Sequence, residues 1–304
     1  MGSRLDWTTD GIEWPYHAAS SFVRAGGLTW HVQRMGNGPA LVLVHGTASS
    51  VHTWAPMASI LARSYSLTSF DLPGHGFSEP VTSDQMTLDA IASRAVELIE
   101  ALEVTPEVLI GHSAGASIAA QLVLDRRIAR PRGIIAINGA LLPFSGAAAW
   151  LYPAAAWRLS ASGIPARLFA RRAAEEGTTE RVIASTGSHL SPDGTKYYRR
   201  LFSSEAHVQA ALDMMSRWDL AQLAKSMPRL NLPVHLIACS DDLAVPAEQG
   251  FRLREMLPRA EVHYLRGCGH LAHEEAPERI ADIVIRLCDD ILGGRHAIHR
   301  EAAQ

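Results

Sequence analysis

The stretch Val108-Leu109-Ile110 runs directly into Gly111-His112-Ser113-Ala114-Gly115 and then into the helix-forming run Ala116 to Leu124. A short apolar strand followed without a linker by a helix must reverse within a few residues. Glycines two positions either side of a serine suit such a reversal, because side chains at Gly111 and Gly115 would meet neighbouring backbone. The serine at the tip is held in a strained conformation, and the first N–H groups of the helix point at charge developing beside it. The junction predicts a serine nucleophile on a strand-to-helix turn.

The rest of the chain supplies the frame for such a turn. Ser20 to Arg24 and Leu28 to Arg34 alternate like a hairpin around Gly26-Gly27, and Ala40 to Val44 is a short apolar run ending in His45-Gly46. A helical stretch around Trp54 to Ala62, a strand Ser66 to Phe70, a turn-rich segment Asp71 to Ser78 and a helix Thr87 to Leu102 follow. Beyond the strand Glu107 to Ile110 and its turn come a strand Gly133 to Asn138, strands Val234 to Ala238 and Glu261 to Leu265, and a final helix Pro277 to Leu292. Helices alternating with continuous apolar strands predict an α/β fold, with a mostly parallel eight-stranded sheet covered on both faces. Between Leu142 and Pro228 the rhythm breaks into short helices punctuated by Pro143, Pro153, Gly163, Pro165, Gly177 and Pro192. The expected division is therefore a core of residues 1–142 and 229–304 with a helical cap, 143–228, and a frayed tail from Gly293.

Composition excludes several classes of function. A net charge of -3 over 304 residues, without a long single-sign run, gives no basic field for nucleic acid. No apolar segment approaches the ~20 residues that span a bilayer, and the first fourteen residues lack the apolar core of a secretory signal. Three cysteines in no spaced framework suit a reducing, cytoplasmic setting and read as apolar fillers.

A serine nucleophile requires a base, and the base a carboxylate that fixes its tautomer. Both follow at strand ends: Ser240-Asp241-Asp242 after Val234 to Ala238, and Gly269-His270 after Glu261 to Leu265. Asp241 and Asp242 compete for the acid. His273 rivals His270 but reads as structural, and a His270-x-x-His273 metal pair has no evident third ligand. The turn His45-Gly46-Thr47 can aim the Thr47 N–H at Ser113, with the Ala114 N–H as second oxyanion donor. His45 is expected to hold that loop, and Asp71 to Ser78 to be a tight turn with His75 packed inside.

His45-Gly46, Asp71-Leu-Pro-Gly-His-Gly76, Gly-His-Ser113-Ala-Gly, Asp242-x-x-Val-Pro and Gly-His270 together resemble the α/β-hydrolase superfamily, outside the insertion. The order Ser, Asp, His is that of these enzymes. In them the carboxylate precedes the Val of a Val-Pro pair by three residues, so the resemblance selects Asp242 and leaves Asp241 as a turn residue. Serine at 113 separates the chain from the dehalogenase and epoxide hydrolase relatives, which use aspartate there. Trp14-Pro15, Phe22 to Gln33, His45-Gly-Thr, Asn138 to Phe144 and Met214-Met-x-x-Trp-Asp219 are similar to the magnesium chelatase accessory proteins of bacteriochlorophyll biosynthesis.

That resemblance implies a place in a pigment pathway, and two functions. One is a cofactor-independent serine hydrolase acting on an apolar ester, thioester, amide or C–C bond. The other is a non-catalytic porphyrin-binding protein that assists, and associates with, magnesium chelatase. For the substrate side, His112, Asn138, Phe144, Trp150 and Arg171 are the candidates. An arginine of the 167–172 cluster would pair with a tetrapyrrole propionate. The aromatic and arginine content of the insertion also permits peripheral contact with a membrane surface.

Overall fold

The computed structural model describes residues 3–125, 128–129, 131–143, 164–173, 175 and 177–293. Its eight strands are β1 (Ser20–Ala25), β2 (Leu28–Met35), β3 (Ala40–Val44), β4 (Ser66–Phe70), β5 (Val108–His112), β6 (Gly133–Ile137), β7 (Val234–Cys239) and β8 (Ala260–Leu265). They form one sheet in the order β1-β2-β4-β3-β5-β6-β7-β8. Only β1 with β2 and β2 with β4 pair antiparallel; every other neighbouring pair is parallel. The expected α/β architecture is the one observed. Strand order is a different matter, since alternation of helix and strand gives the strands in sequence but not their positions in space.

The continuous apolar strands are explained by helices on both faces. Leu41, Leu43, Val108, Ile110, Ile135 and Ile137 pack against α2 (Ala55–Leu61) and α12 (Pro277–Leu292). The alternate residues Val42, Val44, Leu109, Ile134 and Ala136 pack against α3 (Leu88–Ala101), α4 (Ala114–Leu124) and α10 (Glu248–Met256). With both faces dry, a period of two cannot show as polar alternation. Helix α12 has the predicted bounds: Pro277 opens it, Gly293 closes it at φ 75°, and Ile280, Val284, Leu287 and Ile291 make its buried stripe. All three cysteines are buried and unpaired, as apolar fillers would be.

Outside this frame the described elements are helical. A short α1 (Trp7–Asp10), not evident in the sequence, is capped by Asp6, whose carboxylate accepts the Thr8 N–H at 2.7 Å. Between β6 and β7 lie α5 (Ile164–Ala173), α6 (Thr178–Ser185), α7 (Pro192–Phe202), α8 (Glu205–Arg217) and α9 (Leu220–Ser226), with no strand among the described residues. Ala173, Ile183, Tyr198, Leu201 and Phe202 of α5 to α7 form a separate cluster with Trp14, Val51, Phe77 and Leu271. Ala210, Met214, Leu220 and Leu223 of α8 and α9 instead join the main core. The helices of this region thus contribute to two apolar clusters, while α5 also packs directly on α8.

Candidate active site

Ser113 stands between β5, the strand flanked by β3 and β6, and the first turn of α4. Its backbone has φ 51° and ψ -121°, a conformation non-glycine residues avoid. A Cβ on Gly115 would lie 2.0 Å from the Val44 carbonyl oxygen, and one on Gly111 2.4 Å from the Ala116 backbone, which is the crowding the sequence implied. Of the five described non-glycine residues with positive φ, Ala48, Ser113 and Asn138 sit at the ends of β3, β5 and β6 or just beyond. Strain of this kind persists only where surrounding structure holds it, and it gathers here around one serine.

The acid and the histidine come from the loops after β7 and β8. His270 Nδ1 lies 2.8 Å from Asp242 Oδ2, and both residues are buried, at 8% and 4% exposure. The other carboxylate oxygen accepts the Ala244 and Val245 N–H groups, each at 2.8 Å. A buried carboxylate with its oxygens so occupied is fixed in orientation, and it holds the His270 proton on Nδ1, which leaves Nε2 as the basic nitrogen. Asp241 is exposed and accepts the Ser240 hydroxyl at 2.6 Å within the turn after β7.

The turn after β3 lies against the serine: a Cβ on Gly46 would come within 2.9 Å of Ser113 Cβ. Thr47 follows in that turn, and its hydroxyl contacts Met214 Sδ at 3.6 Å. Ala114, the first residue of α4, has a backbone N–H with no intrahelical acceptor. His45 holds the loop as expected: its Nδ1 donates to the Gly46 carbonyl at 2.7 Å while Nε2 accepts the Leu72 N–H at 2.9 Å. Asp71 braces the next turn. It accepts the Val51 N–H, the Phe77 N–H and His31 Nδ1 at 2.7, 2.9 and 2.7 Å. Burial raises the Asp71 carboxyl, but the His31 contact and the other donors outweigh it and hold it below its ordinary value. His75 is fully buried, as the tight-turn reading required.

Two residues expected on the substrate side are engaged with the chain around His270. His112 is buried and its Nε2 donates to the His270 carbonyl at 3.0 Å. Burial, with His273 and His270 alongside, keeps its pKa well below the histidine range, so the ring is neutral. The Asn138 amide donates to the carbonyls of Gly269 and His270 at 3.0 and 2.9 Å, while its oxygen accepts the Cys239 N–H at 3.0 Å. All its polar groups thus tie β6 to the two loops that carry Asp242 and His270. Arg171 is exposed on α5, on the side away from the buried Ala166, Ala170 and Ala173. Phe144 and Trp150 lie outside the described residues.

A buried polar network beside the site had no sequence signal. Glu274 of α11 (Ala272–Glu275) accepts the Tyr198 hydroxyl from α7 at 2.6 Å and the Thr53 hydroxyl at 2.5 Å, and Thr53 also meets His273 Nε2 at 2.6 Å. These partners are 76 and about 220 residues apart, so nothing local marks them. Burial pushes the Glu274 carboxyl up to about 7, despite the Thr53 and Tyr198 hydrogen bonds that lower it and with Glu275 adding to the rise. A carboxyl raised on folding binds a proton that the unfolded chain releases, so stability falls as pH climbs from the unfolded value, near 4.5, to about 7. The cost is absent below that window and complete above it. Glu274→Gln removes it, and its stability relative to wild type is expected to rise by up to ~3 kcal/mol across the window in urea titrations at fixed pH. A difference that does not change with pH would exclude a titrating Glu274.

Comparison with known proteins places the chain. The sequence profile of the alpha/beta hydrolase family matches residues 41–283. Over 274 residues the chain is 36% identical to the magnesium-chelatase 30 kDa subunit of Rhodobacter capsulatus, covering 90% of this chain and 95% of that one. Among solved structures it is similar to an alpha/beta hydrolase fold protein from Burkholderia ambifaria, with TM-score 0.74 and 21% identity over 94% of this chain and 100% of that one. It is also similar to the epoxide hydrolase CorEH, with TM-score 0.76 and 20% identity over 88% and 97%. At those identities the structures speak for the fold alone. The family profile spans the elbow, both aspartates and the histidine, and this protein belongs to the alpha/beta hydrolase family.

Proposed function

We propose that the protein is a serine hydrolase in which Ser113 is the nucleophile, His270 the general base and acid, and Asp242 the residue that orients and stabilises the imidazolium. The observation that carries this reading is the buried Asp242–His270 contact at 2.8 Å, with the second carboxylate oxygen already occupied by two N–H groups. Ser113 Oγ attacks the carbonyl carbon as its proton passes to His270 Nε2, and the carbonyl π electrons move onto oxygen. The Thr47 and Ala114 N–H groups receive that oxyanion, each such donor worth ~100- to 1000-fold in rate. Collapse expels the leaving group, which takes the proton from Nε2, and water repeats the sequence to release the acid. His112 and Asn138 serve as positioning residues through the His270 carbonyl. No cofactor is required. Residues 143–228 act as a cap over the site in this reading, and the setting is cytoplasmic; among the described residues no helix is long and apolar enough to cross a membrane.

Labelling with a fluorophosphonate tests the chemistry: wild type is expected to form a covalent adduct at Ser113, and absence of labelling beside a reactive control esterase would overturn the reading. The substrate class follows from the relative named as a magnesium-chelatase subunit. We infer an apolar substrate of the tetrapyrrole pathway, with association with the chelatase. A second reading, a porphyrin-binding accessory protein that does not use the triad, rests on the same relative. Titration with protoporphyrin IX is expected to give a saturable Soret shift at micromolar protein; no shift would remove the tetrapyrrole from both readings.

A further inference from the structure

β8 is the edge strand of the sheet and β7 its neighbour. Their parallel register sets Glu261 opposite His235 and His263 opposite Ile237. Glu261 and His263, two residues apart in one strand, share a face. His235 joins them there: its Nδ1 lies 3.1 Å from His263 Nε2 and 3.9 Å from Glu261 Oε2, and one ligand atom from each of the three residues falls within 4.8 Å of the others. The His235 side chain is buried, whereas that of Glu261 is 72% exposed and free to adjust. Asp290 of α12 lies close enough to act electrostatically on both imidazoles, and Arg286 acts on His263.

We propose that His235, Glu261 and His263 form a zinc-type divalent metal site at the edge of the sheet, separate from the hydrolase centre. A tetrahedral ion with bonds of ~2.0–2.1 Å spaces its ligands roughly 3.3–3.4 Å apart. The spacing between the two imidazole nitrogens is close to that, and rotation of the exposed Glu261 side chain closes the third edge. Two imidazoles and one carboxylate suit zinc and its neighbours better than magnesium or calcium, which take oxygen ligands. Two imidazoles facing nitrogen to nitrogen have one proton to share, and a metal resolves that contact by taking both lone pairs. The fourth position faces solvent and is left to water. His270 and His273, whose spacing in the sequence suggested a metal pair, are engaged by Asp242 and Thr53.

The place of the site gives it a consequence. β7 and β8 lead at their C-terminal ends to Asp242 and His270, while His235 and Glu261 are the second residues of those strands and His263 lies midway along β8. A bound ion ties the edge strand to its one neighbour without touching the reacting groups.

The full chain, stripped of metal and carrying no histidine tag, tests this by titration with Zn²⁺ against a chromogenic chelator and with Co²⁺ for visible d–d bands. One equivalent is expected to bind with a Kd of about 1 µM or tighter, raising Tm by a few degrees. His263→Ala and Glu261→Gln are expected to weaken binding by roughly 30-fold or more and to abolish the Tm shift, with fluorophosphonate labelling unchanged. Absence of binding at about 100 µM Zn²⁺ overturns the proposal. So does binding that survives both substitutions, including binding that blocks labelling, which would place the ion at His270.

Discussion

Ser113→Ala is expected to lower turnover of an activated ester by about 10⁴- to 10⁶-fold and to abolish fluorophosphonate labelling. The size follows from what remains. The oxyanion donors and the pocket still bind, but no oxygen is left for His270 to activate, and catalysis falls to that of a pre-organised cavity. Alanine takes the strained elbow backbone no worse than serine does, since both carry a Cβ, so folding is expected to be unchanged and Tm to shift little. The measurement is kcat for a chromogenic ester alongside thermal unfolding. A folded variant that keeps wild-type turnover would remove Ser113 from the mechanism. A wild type that neither labels nor turns over would favour the non-catalytic porphyrin-binding reading.

Asp242→Asn is expected to lower kcat by ~10⁴-fold, with Asp241→Asn within about twofold of wild type. Asparagine can keep its oxygen on the Ala244 and Val245 N–H groups. Its NH₂ then faces His270 Nδ1 in place of an acceptor. The imidazole must move its proton to Nε2, and a protonated Nε2 cannot take the Ser113 proton. Asp241, exposed and occupied by the Ser240 hydroxyl, has no route to His270. Kinetics of the two variants on the same reporter decide between the aspartates: a larger loss from Asp241→Asn than from Asp242→Asn would invert the assignment. Asp242→Asn keeps the buried geometry, so the loss is expected in kcat with little change in stability.

The parts of this site that were legible in the chain are those whose cause is local. Gly111 and Gly115 flank Ser113 because backbone on either side leaves no room for a Cβ, and two residues of spacing announce it. The Asp242 register came through the Val-Pro pair, and Val245 does supply one of the N–H groups that orient the carboxylate. His45 and His75 belong to tight turns, which are short-range structures. What the sequence did not reveal were distant partners. His112 and Asn138, placed next to the serine or at a strand end, looked like pocket lining, yet their partners are carbonyls 131 to 158 residues away. The Glu274 network and the His235, Glu261 and His263 cluster depend on contacts between elements that no local pattern pairs.

By itself, then, the sequence determined the elements and the strained turn at Ser113, because helix period, strand length and steric demand at a turn are set by neighbours a few residues apart. Between the two aspartates it left a choice that the family resemblance made, and Asp242 is the one that contacts His270. Only the tertiary structure decided that β5 lies between β3 and β6, that Asn138 anchors the His270 loop, and that α8 and α9 pack into the main core while α5 to α7 do not. Those outcomes depend on which apolar faces meet and which buried polar groups find partners. The whole chain settles both at once, and no stretch of it carries them alone.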